Sequence, residues 1–286
     1  MLPKHPEATD FADNPSFDDL RKLSIDRVRN HIRIGNYTRH TSGLGAGLLQ
    51  GNIAILPSQY ALDFFRFCQR NPQPCPVVGV SDTGVPGLKT LGEDIDIITD
   101  VPKYNIYRQG ELKEQVTDLS EYWTDDLVTF VLGCSFSFEE ALTTEGIPLR
   151  HIDENKTVPM YRTNIPTVAA GPFKGEYVVS MRPMSVANAI RACDITARFP
   201  QAHGQPVHIG VPEEIGITDI SKPDWGDPPD IHNGEVAVFW ACGVTPQNSI
   251  QQARIPLCIT HTPGSMLITD IPSWDHNQST RHQKTK

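Results

Sequence analysis

The chain has 286 residues, of which 24 are prolines, 21 are glycines and 38% are hydrophobic, a composition that is typical of a globular protein with many turns and excludes a disordered chain. Its net charge of -9 argues against binding to nucleic acid, because such binding needs a basic face that displaces counterions. Since the sequence has no apolar leader and no apolar run long enough to span a membrane, we expect a cytoplasmic protein.

The first part of the chain predicts a sheet with a helix against it. Residues 1–15 predict a flexible arm, and the segment after them predicts a surface helix. The glycine-rich segment 33–52 suits a loop that faces a ligand or one that is only structural, and both interpretations stay open. A strand at 52–56, a helix at 58–70 and a strand at 76–80 then predict a β-α-β unit with parallel pairing.

Two carboxylates share one face of the next predicted strand, LGEDIDIITD, because its residues alternate strictly. Asp94 and Asp96 could hold a metal or exchange a proton, and a solvated strand face is the alternative. A hairpin follows at 103–116 and turns at Gly110.

A strand, a tight turn and a helix are predicted around Cys134. The apolar run 128–132 is followed by Gly133-Cys134 and by a Ser-x-x-Glu capping box that starts at Ser137. Unpaired N–H groups at a helix start favour negative charge, so we expect Cys134, Ser137 and Glu139 beside a pocket for an anion.

The same pattern recurs in the segment 236–250. Laid on the first turn, it places Cys242, Thr245 and Gln247 on the three positions just named. The likeness indicates either a distant internal repeat or the common requirement of two β-α turns. In both cases we expect the two turns to be paired anion-binding walls of one cleft.

The centre of the chain, between these turns, is polar and broken by prolines. Loops of this kind often carry function, and the segment 146–167 supplies candidates for substrate binding. Arg162 is suited to a bidentate contact with a carboxylate, and a structural ion pair is the alternative. The other candidates in this segment are His151, Tyr161 and Asn164.

A strand from Glu176, a helix from Ser185 and a strand with His208 form a β-α-β piece between the two Cys turns. His203 and His208 flank its last turn, but their spacing fits no helical metal motif. The linker 223–229 should return the chain to the main sheet, so we predict an α/β fold with a mixed sheet and an insertion. The predicted divisions are a flexible arm at 1–15, a main α/β domain at 16–142 plus 231–275, an inserted smaller α+β domain at 143–230 and a disordered tail at 276–286.

Nine strings spread over most of the chain carry a family resemblance. They are NIAILP, FCQRNPQPCP, LGEDIDIITD, GCSFSFEEAL, VPMYRTNIPT, GPFKGEYVVSMRP, ITARFPQAHGQPVHIG, VFWACGVTPQ and CITHTPGSML. Together they resemble the hydro-lyase family related to D-glutamate cyclase. The resemblance implies a three-layer main domain with a smaller two-layer domain. It also implies loss of water from a small substrate, which in the cyclase branch is closure of D-glutamate to 5-oxo-D-proline.

Dehydration of a small amino or hydroxy acid needs an anchor for the carboxylate, a base, and an acid that protonates the departing oxygen. We assign the anchor to Arg162 with the helix starts at Ser137 and Thr245. Cys134 could instead be a nucleophile that forms a thioester, but thioester formation from a free carboxylate is uphill, which favours acid-base chemistry. The candidates are Glu139 or His151 as the base, His203, His208 or His261 as the acid, and Tyr161, Asn164, Cys242 and Gln247 as further contacts to the substrate.

Two other functions compete with the hydro-lyase. One is a non-catalytic protein that binds carboxylate metabolites or serves as an accessory subunit. The other is metal-dependent hydrolysis on Asp94, Asp96 and the histidines. We expect no cofactor and no metal, a small carboxylate or amino acid as the partner, and neither nucleic acid nor membrane; a homo-oligomer is left open.

Overall fold

Residues 14–154 and 156–273 are described by the computed structural model, which arranges them around two sheets. The expected α/β class is confirmed. The predicted arm at 1–15 falls almost wholly, and the predicted tail at 276–286 wholly, outside these residues. The helices of the described part are α1 Phe17–Leu20, α2 Ile25–Arg33, α3 Ser58–Arg70, α4 Phe136–Thr144, α5 Arg150–Asp153, α6 Val186–Thr196 and α7 Val244–Ala253.

The strands divide between a seven-stranded and a four-stranded sheet. The larger sheet has the order β2-β5-β1-β10-β3-β4, with β11 also paired to β1, and the smaller has the order β6-β7-β9-β8. The strands are β1 Leu48–Pro57, β2 Val77–Val80, β3 Tyr104–Arg108, β4 Glu111–Val116, β5 Leu127–Gly133, β6 Met160–Pro166, β7 Glu176–Ser185, β8 His208–Ile209, β9 Glu235–Ala241, β10 Cys258–His261 and β11 Leu267–Pro272.

Strand β1 is the centre of the larger sheet. It pairs with β5 and also with β11 and β10. Residues 48–51 of β1 pair with β11, and residues 54 and 55 pair with β10. The parallel pairing expected for β1 and β2 is not found, because β5 lies between them and is antiparallel to both. The two strands run in the same direction without being hydrogen-bonded neighbours.

Three further local expectations are corrected by the structure. The surface helix after the arm is two helices, α1 and α2, and the strand predicted for 91–100 is a series of turns with one bridge at Asp96. Strand β9 pairs with β7 and β8, so the linker 223–229 leads into the smaller sheet and not into the main one. The division of the chain into domains stays a prediction.

Helices α4 and α7 connect the two sheets. Phe138 of α4 packs against Trp240 of β9, although α4 follows a strand of the larger sheet. Ile250 of α7 packs in the core formed by α3 and the larger sheet, although α7 follows a strand of the smaller sheet. Each helix therefore starts at the junction where the two sheets meet. No helix among the described residues is long and apolar enough to cross a membrane.

Candidate active site

The first Cys turn lies at the end of β5. Strand β5 ends at Gly133 and α4 begins at Phe136, so the N-cap residue is Ser135, whose side chain makes no capping hydrogen bond. The predicted capping box at Ser137 is wrong, because Ser137 lies inside the first helical turn. Its hydroxyl instead accepts the backbone N–H of Gln50 at 3.2 Å, which fastens the start of α4 to β1.

The second Cys turn repeats this geometry in the smaller sheet. Strand β9 ends at Ala241 and α7 begins at Val244. The hydroxyl of Thr245 accepts the N–H of Val178 on β7 at 2.9 Å, and its oxygen lies 3.1 Å from the carbonyl of the same residue. In both turns a strand leads into a helix, and the hydroxyl of the second helical residue hydrogen-bonds to the neighbouring strand of the same sheet. The two turns therefore share a geometry as well as a sequence pattern.

Asn52 of β1 joins the two turns. Its Nδ2 donates to the carbonyl of Gly133 at 2.9 Å. A Cβ atom on Gly243 would lie 2.3 Å from the same Nδ2, so only glycine fits there. Gly133 is equally constrained, because a Cβ on it would lie 1.5 Å from the carbonyl oxygen of Gln201. Direct contacts thus connect the two turns with β1 and with the segment around Gln201.

A buried cluster of Glu139, Arg182 and His151 lies at the start of α4. One oxygen of Glu139, Oε1, accepts from Arg182 Nε at 3.1 Å and from Arg182 Nη2 at 2.5 Å. The same oxygen lies 3.0 Å from Nε2 of His151. The side chains of Arg182, Glu139 and His151 are 1%, 6% and 10% exposed, so the three groups are ordered from the interior outward.

Arg182 has several partners in the interior. Besides Glu139, its guanidinium donates to the hydroxyls of Ser180 and Ser135, at 3.1 and 3.2 Å. The guanidinium carbon also lies 5.3 Å from the ring centres of Phe138 and of Trp240, a distance at which a cation is attracted to an aromatic face. Through these contacts Arg182 holds the cluster together.

The carboxylate of Glu139 is kept ionised by its neighbours. Burial alone would raise its pKa, but the charges of Arg182 and His151 and the hydrogen bonds from both residues outweigh burial, and the pKa lies below its ordinary value. His151 faces the carboxylate with Nε2, which must carry a hydrogen to donate there.

The two cysteines of the turns are neutral thiols. Burial raises the pKa of Cys134 to about 12 and that of Cys242 to about 11. The backbone N–H groups of Phe136 and Val244 donate toward the two sulfurs and lower these pKa values, but by less than burial raises them. The helix starts therefore do not activate the thiols at neutral pH.

Two buried histidines lie near this junction, each held in one neutral form. Burial lowers the pKa of His203 and of His261 to about 4. Nδ1 of His203 lies 2.8 Å from the carbonyl of Gln73 and must therefore carry the proton. His261 has the opposite arrangement, because its Nδ1 accepts the N–H of Ile53 at 3.2 Å. The side-chain nitrogen of Gln247 lies 3.3 Å from the ring of His261.

Four sequence candidates have their contacts elsewhere. Arg162 is 55% exposed and pairs with Asp224 at 3.6 Å, with its guanidinium over the ring of Trp225. The remaining three contact the peptide backbone or a loop. Tyr161 donates to the carbonyl of Ile220, Nε2 of His208 lies 2.8 Å from the carbonyl of Val211, and Asn164 packs against Gly216.

Sequence reasoning missed Arg182, Asn52 and Ser135, which connect the parts of the site. A signal for Arg182 was present, because a charged residue in the apolar run YVVSMRP requires a buried partner. Asn52 gave a similar signal at the start of the apolar run NIAIL. Neither signal names the partner, since Glu139 and Arg182 are 43 positions apart in the chain.

Of the two acidic residues considered for a metal, Asp94 is engaged with arginines, and Asp96 accepts the backbone N–H of Ile98 at 2.9 Å. Asp94 lies 2.6 Å from Arg29 and 3.4 Å from Arg33. The charges of these arginines lower its pKa more than its partial burial raises it. Within residues 14–154 and 156–273, no group of three or more His, Cys, Asp or Glu side chains is arranged to hold a metal ion.

Comparison with known proteins gives a consistent picture. The profile of the D-glutamate cyclase family matches residues 128–270, which include both Cys turns and the Glu139 cluster. A protein of Dinoroseobacter shibae named "Putative hydro-lyase" is 58% identical over 90% of this chain and 85% of its own length. Proteins of the same name from Jannaschia sp. and Verminephrobacter eiseniae are 61% and 58% identical, over 85% and 92% of this chain and 92% and 94% of their own lengths.

Proposed function

This chain belongs to the D-glutamate cyclase family, and we propose that it is a hydro-lyase that removes water from a small amino or hydroxy acid carboxylate. The first substrate to test is D-glutamate, whose cyclisation gives 5-oxo-D-proline and water. The observation that carries the proposal is the contact of one Glu139 oxygen with both His151 and Arg182, at the junction of the two Cys turns.

Cyclisation of D-glutamate moves two protons from nitrogen to oxygen. The ammonium group loses both on becoming the lactam nitrogen, and the oxygen of the γ-carboxylate gains both on leaving as water. No net proton is taken from solvent, and no oxidant or reductant is needed. The protein must therefore supply a group that donates to the departing oxygen and a group that accepts from nitrogen.

The pair of His151 and Glu139 is suited to the donation. The carboxylate fixes the orientation of the ring, as in other His-carboxylate pairs. A cavity of about 20 Å³, which has room for about one water, is lined by His151 together with Pro159 and Asp230. His151 can regain a proton through this cavity, so we assign to it the acid that releases water.

The starts of α4 and α7 are suited to anchoring the carboxylates. Both helices carry a positive partial charge at their first turns, and Asn52 brings these turns together. Arg182 is engaged with Glu139, Ser135 and Ser180, and Arg162 has its contacts at Asp224 and Trp225, so neither guanidinium is assigned to the substrate in this mechanism. The neutral thiols of Cys134 and Cys242 line the same junction without acting as nucleophiles.

Incubation of the purified protein with D-glutamate, followed by chiral chromatography for 5-oxo-D-proline, tests the proposal. We expect product from D-glutamate and a loss of rate in Glu139→Gln. The matched control is Glu140→Gln, because Glu140 is the exposed neighbour on the same helix and should keep the wild-type rate.

The outcomes of this assay separate the competing functions. No product, together with no heat of binding for any dicarboxylate or amino acid, would overturn the substrate assignment. Saturable binding without turnover would instead identify a carboxylate-binding protein. Turnover that is lost on dialysis against a chelator and restored by a divalent ion would favour metal-dependent chemistry over the acid-base mechanism.

A further inference from the structure

His203 has a backbone conformation that needs an explanation. It is one of the few non-glycine residues of the described chain with a positive φ, at 76°. Such a conformation is unfavourable for a residue with a Cβ and persists where surrounding contacts hold it, often at a functional site. His203 follows the short 3-10 turn Pro200–Ala202, and Gly204 after it also has a positive φ. The chain therefore bends sharply to place this one ring in the interior.

The ring of His203 is held in a single neutral form, and one of its nitrogens makes no hydrogen bond. Nδ1 lies 2.8 Å from the carbonyl of Gln73, so it carries the hydrogen, and Nε2 carries a lone pair. Nε2 is buried and has no hydrogen-bond partner. A buried acceptor without a donor is rare in folded proteins, and in an enzyme it is often the place where a substrate donates.

His203 lies near the junction of the two sheets. The carbonyl of Gln201 contacts the Cα of Gly133, which immediately precedes Cys134. The charge of Arg182 acts on the ring of His203 and, together with the larger effect of burial, keeps it unprotonated. The charged group that acts on the ring is thus Arg182, the partner of Glu139, and a substrate at the Cys turns would lie near it.

We propose that Nε2 of His203 is the proton acceptor of the reaction. In the cyclisation it takes a proton from the substrate nitrogen as the carbon-nitrogen bond forms, when that nitrogen is most acidic. The first ammonium proton goes to water before the nitrogen attacks the γ-carboxylate carbon. His203 takes the second, so that the N–H bond breaks and an Nε2–H bond forms. The departing oxygen receives one proton from His151 and the one held by His203, and the proton first released to water returns to His151. The role rests on the proposed function, and it assigns acid and base to different histidines, His151 and His203.

The variant that tests this role is His203→Asn. The asparagine amide can replace Nδ1 as the donor to Gln73, and asparagine tolerates a positive φ better than most residues, so the fold should be kept while Nε2 is removed. We expect kcat for D-glutamate to fall by about 100-fold or more with little change in KM. The acidic limb of the pH profile of kcat/KM, which reports protonation of the base, should also disappear.

The matched control is His40→Asn, because His40 is an exposed histidine that has no contact with the Cys turns. It should keep both the rate and the acidic limb. A His203→Asn protein that keeps its kcat and its acidic limb would overturn the proposal. A fall in rate that is accompanied by a lower melting temperature and an unchanged acidic limb would also overturn it, since that combination indicates a structural role.

Nitrogen NMR of the wild-type protein decides the matter without a variant. In the free protein at neutral pH, His203 should show a protonated Nδ1 and a bare Nε2. Addition of D-glutamate or 5-oxo-D-proline should move the Nε2 signal toward the hydrogen-bonded value. If the protein turns over D-glutamate but the Nε2 signal does not move, the proposal for His203 fails and the proposed function stands. If no turnover occurs, the proposed function fails, and a protonated Nε2 in the free protein would then overturn the proposal for His203 independently.

Discussion

Arg182 donates two hydrogen bonds to a single carboxylate oxygen of Glu139, at 3.1 and 2.5 Å, although the two residues lie in elements associated with different sheets. Arg182 lies on β7 of the smaller sheet, and Glu139 lies on the helix that follows β5 of the larger one. The ion pair is therefore both a contact between the two halves of the fold and the support on which the proposed acid, His151, depends.

Removal of one partner of this ion pair should destabilise the protein strongly. Glu139→Leu leaves the charge of Arg182 buried without a carboxylate, and Arg182→Met leaves that of Glu139, so each should lower the free energy of unfolding by about 3–5 kcal/mol. The double variant Glu139→Leu/Arg182→Met should lose much less than the sum of the two. Urea unfolding of the four proteins measures the coupling, and additive losses would show that the pair is not energetically linked.

Stability should fall on mild acidification because of the buried histidines. Burial lowers the pKa of His203 and His261 from 6.5 to about 4, so the unfolded chain binds more protons than the folded chain between these values. The stability from each ring is complete above pH 6.5 and is lost as the pH falls toward 4, by about 3 kcal/mol per histidine.

The slope of stability against pH tests this origin. In urea unfolding between pH 4.5 and 6.5, His203→Asn should reduce the slope by about 1.4 kcal/mol per pH unit, which corresponds to one proton. His40→Asn is the matched control, because His40 is an exposed histidine. An equal slope in wild type and His203→Asn would show that His203 titrates alike in the folded and unfolded chains.

Cys134 and Cys242 should react slowly with thiol reagents in the native protein. Burial raises the pKa of both thiols far above neutrality, so the thiolate, which is the reactive form, is scarce at pH 7.5. We expect iodoacetamide to label Cys193, which is only partly buried on α6, before either of them. Peptide mass spectrometry measures the order. Cys134→Ser should keep the rate of turnover within about threefold, and a complete loss of activity would restore the nucleophile hypothesis.

The glycines of the two turns should not tolerate a methyl group. Gly133→Ala places Cβ 1.5 Å from a backbone oxygen, and Gly243→Ala places it 2.3 Å from Nδ2 of Asn52. We expect losses of about 2–4 kcal/mol or more, with the larger loss at Gly133, because a backbone neighbour cannot rotate away. Gly87→Ala is the control, since the nearest atom to its Cβ would be 3.8 Å away. Thermal unfolding of the three variants measures the differences.

The sequence predicted the elements that depend on local pattern. The helix that ends at Arg70, the hairpin turning at Gly110 and the helix capped by Ser185 are all present, because apolar spacing, a positive-φ glycine and a capping hydroxyl specify them locally. The strand predicted around Asp94 and Asp96 failed although its isoleucines are buried, because arginines of α2 hold the segment as turns.

The candidate site could be predicted only in part, for a similar reason. Each Cys turn is specified by its own residues, and both turns were located from their pattern. Asn52 joins the two turns, and Arg182 binds Glu139. Both contacts depend on how the two sheets meet. No spacing within the sequence encodes that arrangement, so the sequence could not indicate that Arg182 is the partner of Glu139.

The central position of β1 has a consequence for how the protein folds. Residues 54 and 55 of β1 pair with residues 259 and 260 of β10, and residues 48 to 51 pair with β11, so its ladder closes only after more than 200 further residues have been synthesised. Contacts this distant in sequence carry a large loop-closure entropy and slow the search for the native state. During translation β1 can pair with β5 but must wait for β10 and β11, and in this interval the unpaired side of the apolar strand exposes the nascent chain to aggregation.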